Sequence, residues 1–206
     1  KPLYDTWKYL YKVIVFSNDA LTTIDKHKQL LTDEQYKAYR AEVRAIRALY
    51  YYYLMDMFGN IPLVTTAGES TENADQASRP EVYRFIVKEL QEVTPLLPTG
   101  HSNLLGKNYG RVTRSVANFL LAKLMLNGEV YSDADWTDNQ QPNGKQTYFT
   151  INGQQMNIWQ ACKYYCDELT ADGFTLAADY LSNFSVNNEN SPENIFTITL
   201  DKHLYK

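Results

Sequence analysis

The chain has 206 residues, 24 of them acidic and 20 basic, for a net charge of −4. A chain of that size supports one large domain or two small ones and buries about 70% of the surface its unfolded form exposes, so a substantial core is expected. The acidic balance supplies no sequence-wide positive field and argues against a nucleic-acid partner. No apolar run approaches the ~20 residues that a bilayer-spanning helix needs, and mean hydropathy is −0.45.

The chain begins Lys1-Pro2 and stops at Leu204-Tyr205-Lys206, without an initiator Met, a signal segment or a lipidation motif, as expected of a mature product or an excised fragment. The first predicted helix spans about residues 3–25, where Trp7, Leu10, Tyr11, Ile14 and Leu21 recur at three and four. The second starts at Thr32-Asp33-Glu34-Gln35, a capping box. It ends at Phe58-Gly59-Asn60-Ile61-Pro62, where Gly59 is suited to a left-handed C′ position and Pro62 forbids continuation. A polar link over 65–77 leads to a second capping box, Ser78-Arg79-Pro80-Glu81. That box opens a third helix reaching about Leu96, which Leu97-Pro98 closes.

The fourth helix is expected from near Thr113 to about Tyr131, through Val116, Leu120, Leu121 and Leu124, and the fifth from about Met156 to Ala171. Cys162 and Cys166 lie i, i+4 on that fifth helix, too far apart for a relaxed disulfide and too few for a zinc site, so a core role is expected. Residues 193–200 alternate polar and apolar, which predicts a short strand.

Weak internal repetition runs through these helices. Trp7-x2-Leu10-x3-Ile14, Tyr83-x2-Ile86-x3-Leu90 and Trp159-x2-Cys162-x3-Cys166 recur at equal spacing, and Ala41-x3-Ala45-x2-Ala48 aligns with Ala117-x3-Leu121-x2-Leu124. The small-residue face is that of a tetratricopeptide second helix, at a spacing longer than the usual ~34-residue period. The resulting fold class is mainly α. It is a tetratricopeptide-repeat-like scaffold of helix hairpins (an α-α superhelix) with long loops and a short C-terminal strand. The chain is expected to form one helical domain over 1–206, part of a longer protein, with helix pairs at about 3–58 and 79–131 and a fifth helix at about 156–171.

Four consecutive tyrosines, Tyr50 to Tyr53, lie within the second helix. At 100° per residue their rings point in four directions and form no flat platform. With Ile46, Leu49, Leu54, Met55, Met57 and Phe58 beside them, the helix is apolar nearly all round, as befits a central pillar. Arg44 and Arg47 are expected to pair with carbonyls or with acids on neighbouring helices.

The run Glu42-Val43-Arg44-Ala45-Ile46-Arg47-Ala48, followed by Tyr50 to Leu54 and Phe58-Gly59-Asn60-Ile61-Pro62-Leu63, resembles the signature of the SusD/RagB family. Further motifs keep that family's order. They are Tyr83-x2-Ile86-x2-Glu89-Leu90 with Leu97-Pro98, then Gly110-Arg111-Val112-Thr113-x3-Ala117-x3-Leu121-Ala122-Lys123-Leu124, then Phe174-Thr175-Leu176-x3-Tyr180-x3-Phe184 with Glu193-Asn194-Ile195-Phe196. The resemblance implies a scaffold of tetratricopeptide-like helix pairs in a lipoprotein on the outer face of a Bacteroidetes-type outer membrane. Such a protein binds a glycan or other nutrient, does not cleave it, and forms the lid of a SusC-like TonB-dependent transporter. Its only membrane attachment would be an N-terminal lipid anchor outside this chain. A peptide-binding relative of the family, or a helical-repeat scaffold that binds only protein, is the alternative.

Neutral sugars are recognised by exposed aromatic faces together with Asn, Asp, Gln or Arg side chains that bond hydroxyls. The stretch with that composition on a loop is Tyr131 to Tyr148, between the fourth and fifth helices. Within it Trp136, with Asp138, Asn139 and Gln140, is the candidate ligand contact; the alternative is that Trp136 folds back over the helix hairpin. Asp133-x-Asp135-x2-Asp138 resembles a calcium loop only loosely, having neither the turn Gly at the sixth position nor the Glu at the twelfth, where Gly144 stands. His27, His101 and His203 are isolated, no metal-binding His motif occurs, and no P-loop, dinucleotide or nucleophile-elbow fingerprint is present. Neither metal nor cofactor is expected. Asp and Glu are numerous enough to supply a glycosidase's carboxylate pair, but the resemblance implies a protein that is not an enzyme.

Overall fold

The Thr32 cap forms as expected: its side chain accepts from Gln35 N, and the Gln35 side chain accepts from Thr32 N. In the computed structural model, which describes residues 2–69, 74–186 and 188–198, this box starts α2 (Asp33–Phe58), which packs along α1 (Pro2–Lys26). Gly59 closes α2 at φ +74, and its N–H donates to the Met55 carbonyl. The chain then forms β1 (Ile61–Pro62), which pairs antiparallel with β2 (Gln76–Ala77), and enters α3 (Arg79–Val93) through the second box, where the Glu81 carboxylate accepts from both Ser78 N and Ser78 Oγ.

Beyond α3 come α4 (Arg114–Leu126), α5 (Gly128–Ser132), the hairpin β3 (Tyr148–Ile151) and β4 (Gln154–Asn157), and α6 (Ile158–Ala171). The helices pack as layers, α1 on α2, α2 on α3 and α4 on α6, so the expected pair at 3–58 forms while the fourth helix packs chiefly on α6 rather than on the third helix as expected. Their shared core joins Ile14 of α1, Ala45, Ala48, Tyr51 and Leu54 of α2, Tyr83, Ile86 and Leu90 of α3, Leu121 and Leu124 of α4, and Ile158 of α6. The alanine face of α2 lets its neighbours approach closely. None of the described helices is long and apolar enough to cross a membrane.

Several boundaries differ from expectation, each for a local reason. The third helix stops at Val93 and tightens into a 3₁₀ turn over Thr94–Leu96 around Pro95. The fourth breaks at Asn127, which leaves helical backbone at φ −98, ψ 14 while its amide Nδ2 donates to the Lys123 carbonyl; α5 restarts beyond it. Residues 154–157, expected at or just before the start of the fifth helix, form β4 instead, and α6 begins only after a capping box between Asn157 and Gln160. The expected C-terminal strand does not form within 193–198, where Glu193 accepts from Ala177 N and Asn183 Nδ2 rather than lying in a ladder; 199 and 200 lie outside the described residues. Cys162 is half-buried but Cys166 is exposed, both as free thiols, because that face of α6 borders an open apolar groove of about 790 Å³. A core role therefore fails for Cys166.

Tyrosines 50 to 53 divide as helical geometry requires. Tyr51 and Tyr52 are buried, Tyr50 is half-buried, and Tyr53 turns partly to solvent. Tyr51 Oη donates to the Val64 carbonyl at 2.6 Å and accepts from Val64 N at 2.8 Å. Tyr11 Oη donates to the Pro62 carbonyl and Asn18 Nδ2 to the Val64 carbonyl, so α1 and α2 together tether the extended segment after Gly59.

Below this segment Arg47, only 6% exposed, donates to Asn18 Oδ1, to the Thr65 carbonyl and to Glu89 of α3. Arg44 reaches the same Glu89 carboxylate and Glu92. Both arginines therefore take the carbonyl and acid partners expected of them. Burial opposes ionisation of Glu89, but the hydrogen bonds from Arg44 and Arg47 outweigh it and hold the carboxyl below its ordinary value.

Candidate functional site

The loop between α5 and β3 is fixed at both ends and open in the middle. Arg79 Nη2 donates to the Asp133 carbonyl at 2.9 Å at one end, and at the other Glu129 Oε1 accepts from Gly144 N at 2.7 Å. Gly144 lies so close to Trp159 and Ile158 that a Cβ there would meet their side chains at 2.7 Å. Only glycine lets this strut seat against α6. Residues 134–141 are all exposed.

Asp and Asn side chains shape the open middle by bonding their own backbone two residues on. Asp133 Oδ1 accepts from Asp135 N, Asp135 Oδ1 from Thr137 N and Thr137 Oγ1, and Asp138 Oδ1 from Gln140 N. The bonds from the Thr137 hydroxyl and N–H hold the Asp135 carboxyl below its usual range. Each of the three carboxylates that faintly resemble a calcium loop is thus engaged in its own turn. No group of three or more His, Cys, Asp or Glu among the described residues is placed to hold a metal.

Trp136 sits within these turns at 79% exposure, its ring standing off the helix hairpin rather than folded over it. Asn139, at φ +57, and Gln140 are exposed beside it, and neither side chain has a hydrogen-bond partner among the described residues. The loop therefore presents an apolar ring face together with free amide donors and acceptors. That pairing suits a sugar ring, whose C–H face lies against an aromatic while its hydroxyls bond amides. Of the isolated histidines, His101 stacks on Phe174 with ring centroids 4.1 Å apart, and its Nε2 lies 2.9 Å from the Asp172 carbonyl oxygen; His203 lies outside the described residues.

The hairpin β3–β4 beyond this loop was not anticipated from the sequence. Its register pairs Ile151 with Gln154 across a turn of Asn152 and Gly153, at φ +50 and +77. Asn-Gly is the preferred pair for a type I′ turn and is the signal that could have revealed the hairpin. Its consequence is to set Asn152 over α6, where Asn152 Nδ2 donates to Tyr164 Oη at 2.8 Å.

The chain belongs to the SusD-like family, whose model, described as starch-binding and associating with the outer membrane, matches residues 2–126. Across 203 residues it is 24% identical to a SusD-like protein of Formosa agariphila, covering 97% of this chain and 32% of that one. A SusD superfamily protein from Parabacteroides distasonis superposes with a TM-score of 0.74 at 24% identity, over 97% of this chain and 38% of that one. Surface glycan-binding protein A from Bacteroides thetaiotaomicron, solved in complex with laminarihexaose, superposes with a TM-score of 0.66 at 25% identity, over 93% of this chain and 34% of that one. The chain spans about a third of the length of each of these relatives. The loop at 133–147 falls beyond the segment that the family model matches.

Proposed function

We propose that this protein binds a polysaccharide or oligosaccharide nutrient at the outer face of an outer membrane and does not cleave it. In this reading residues 1–206 are one helical domain of a longer lipoprotein, anchored by an N-terminal lipid and delivering its ligand to a SusC-like TonB-dependent transporter. The observation that carries the reading is Trp136, 79% exposed on a loop braced at both ends, with Asp138, Asn139 and Gln140 around it. Family membership supports it, through the family's description as starch-binding and associating with the outer membrane. The laminarihexaose bound by a structural relative supports a glucan as ligand.

Native-gel electrophoresis in a panel of starch, laminarin and other plant and host glycans tests the reading. The expected result is retardation by at least one glycan, with no release of reducing sugar, and loss of that retardation in Trp136→Ala. Retardation by no member of the panel contradicts it. Release of oligosaccharide products would instead mark a glycoside hydrolase.

A further inference from the structure

A second cleft, of about 310 Å³, opens between α3, α4, α6 and the β3–β4 turn, at the small end of the ~300–1,000 Å³ range of small-molecule sites. Asn118 of α4 lines it. That residue is only 3% exposed, yet its carboxamide has no hydrogen-bond partner among the described residues. The carboxamide is not sealed off, because it borders a cavity that an outside partner can enter. Arg114, one turn earlier on the same helix, also lines the cleft, and its buried Nε donor has no partner. Glu168 of α6 contributes a carboxylate with no ion pair among the described residues.

The rest of the lining is held in place. Gln91 Nε2 donates to both the Thr150 carbonyl and Tyr165 Oη, while Asn152 Nδ2 donates to Tyr164 Oη. Each phenol oxygen thus accepts one bond and keeps its own proton to donate. Burial pushes Tyr165 up to about 12, so that proton stays in place at neutral pH.

We propose that this cleft is a second ligand site, taking a single neutral sugar ring or the end of a short oligosaccharide. Arg114 supplies a cation and Glu168 an anion, so the lining has no net charge, which suits a neutral polyol better than an acidic sugar. Hydroxyls both donate and accept, so they match a donor-only guanidinium, an acceptor-only carboxylate and an amide that does both. The half-buried Tyr164 ring offers an apolar edge for the sugar's C–H groups. The inference rests on reading the protein as a saccharide binder but does not depend on the Trp136 loop.

Two-dimensional NMR of the side-chain amides, with laminaribiose and maltose titrated into the full chain, tests the cleft. Saturable shifts at the Asn118, Asn152 and Gln91 amides are expected, and they should persist in Trp136→Ala. Asn118→Leu, close in volume and flanked by apolar neighbours, and Arg114→Ala at the partly exposed end of the helix should each weaken binding about tenfold, the loss of one good hydrogen bond. Shifts absent with both sugars, shifts abolished by Trp136→Ala, or shifts produced by glycine but by neither sugar would each overturn the proposal. The last would mark a zwitterion site. Loss of polysaccharide retardation in Trp136→Ala while the amide shifts persist separates the two sites.

Discussion

The knot at Arg44, Arg47 and Glu89 and the loop at Trp136 use similar polar chemistry to opposite ends. In the knot, Arg47 and Glu89 are buried and Arg44 half-buried, and they bond one another, Asn18 and the Thr65 carbonyl. In the loop, the carboxylates bond only their own turns, while a large ring and two amides face solvent. The first arrangement spends most of its polar groups on holding α1, α2 and α3 together, and the second leaves its ring and amides to solvent. Family identity and the proposed ligand contact are therefore carried by different residues.

The sharpest way to break this contrast is Glu89→Ala. It strips Arg47 of its acid while leaving the cation buried, which should destabilise the fold by about 3–5 kcal/mol in urea unfolding. A loss below ~1 kcal/mol, the scale of an exposed ion pair, would mean that the knot is solvated. Glu89 also predicts an acid-side slope. Its native carboxyl titrates below the usual 4.5, so its contribution is complete above that value and is lost as pH falls through the lowered native one. Glu89→Gln should flatten that part of the stability profile.

Tyr51→Phe comes next. It keeps the ring but leaves Val64 N–H without its hydroxyl partner and removes one donor from the Val64 carbonyl, for about 1–3 kcal/mol by the same measurement. Gly153→Ala should cost only about 1 kcal/mol, because the space beside Gly153 is open and the penalty comes from its positive φ alone. Its effect should appear in melting of the hairpin and in the cleft, leaving the knot untouched.

What could be read in the sequence follows the same division. Capping boxes at Thr32 and Ser78 and the Phe58-Gly59 stop are local chemistry, and the structure places them where the residue types require. The arginine pairings were legible because charged residues on a largely apolar helix must find acids or carbonyls on the elements packed against it. The β3–β4 hairpin was not, because Gln154 and Gln155 erase the apolar alternation and leave the Asn152-Gly153 turn as the only strong mark. Residues 193–198 show the converse. Their alternation resembles a strand, but a strand exists only with a neighbour to bond, and these residues bond a loop instead. No spacing rule reaches the second cleft, since Asn118, Asn152 and Glu168 meet only after α4, the hairpin and α6 have packed.

Trp136→Ala should have the smallest effect on stability, within about 0.5 kcal/mol, since the ring packs on little. Its effect on binding is the most direct test of the central claim, that an exposed ring outside the family signature contacts the ligand. Isothermal titration of the wild-type protein and Trp136→Ala with laminarihexaose and maltoheptaose provides it. The account predicts saturable binding of at least one glucan by the wild type and a Kd at least about tenfold weaker in the variant, a loss of ~1.4 kcal/mol, with an unchanged unfolding midpoint. Equal affinity in the two proteins would contradict it.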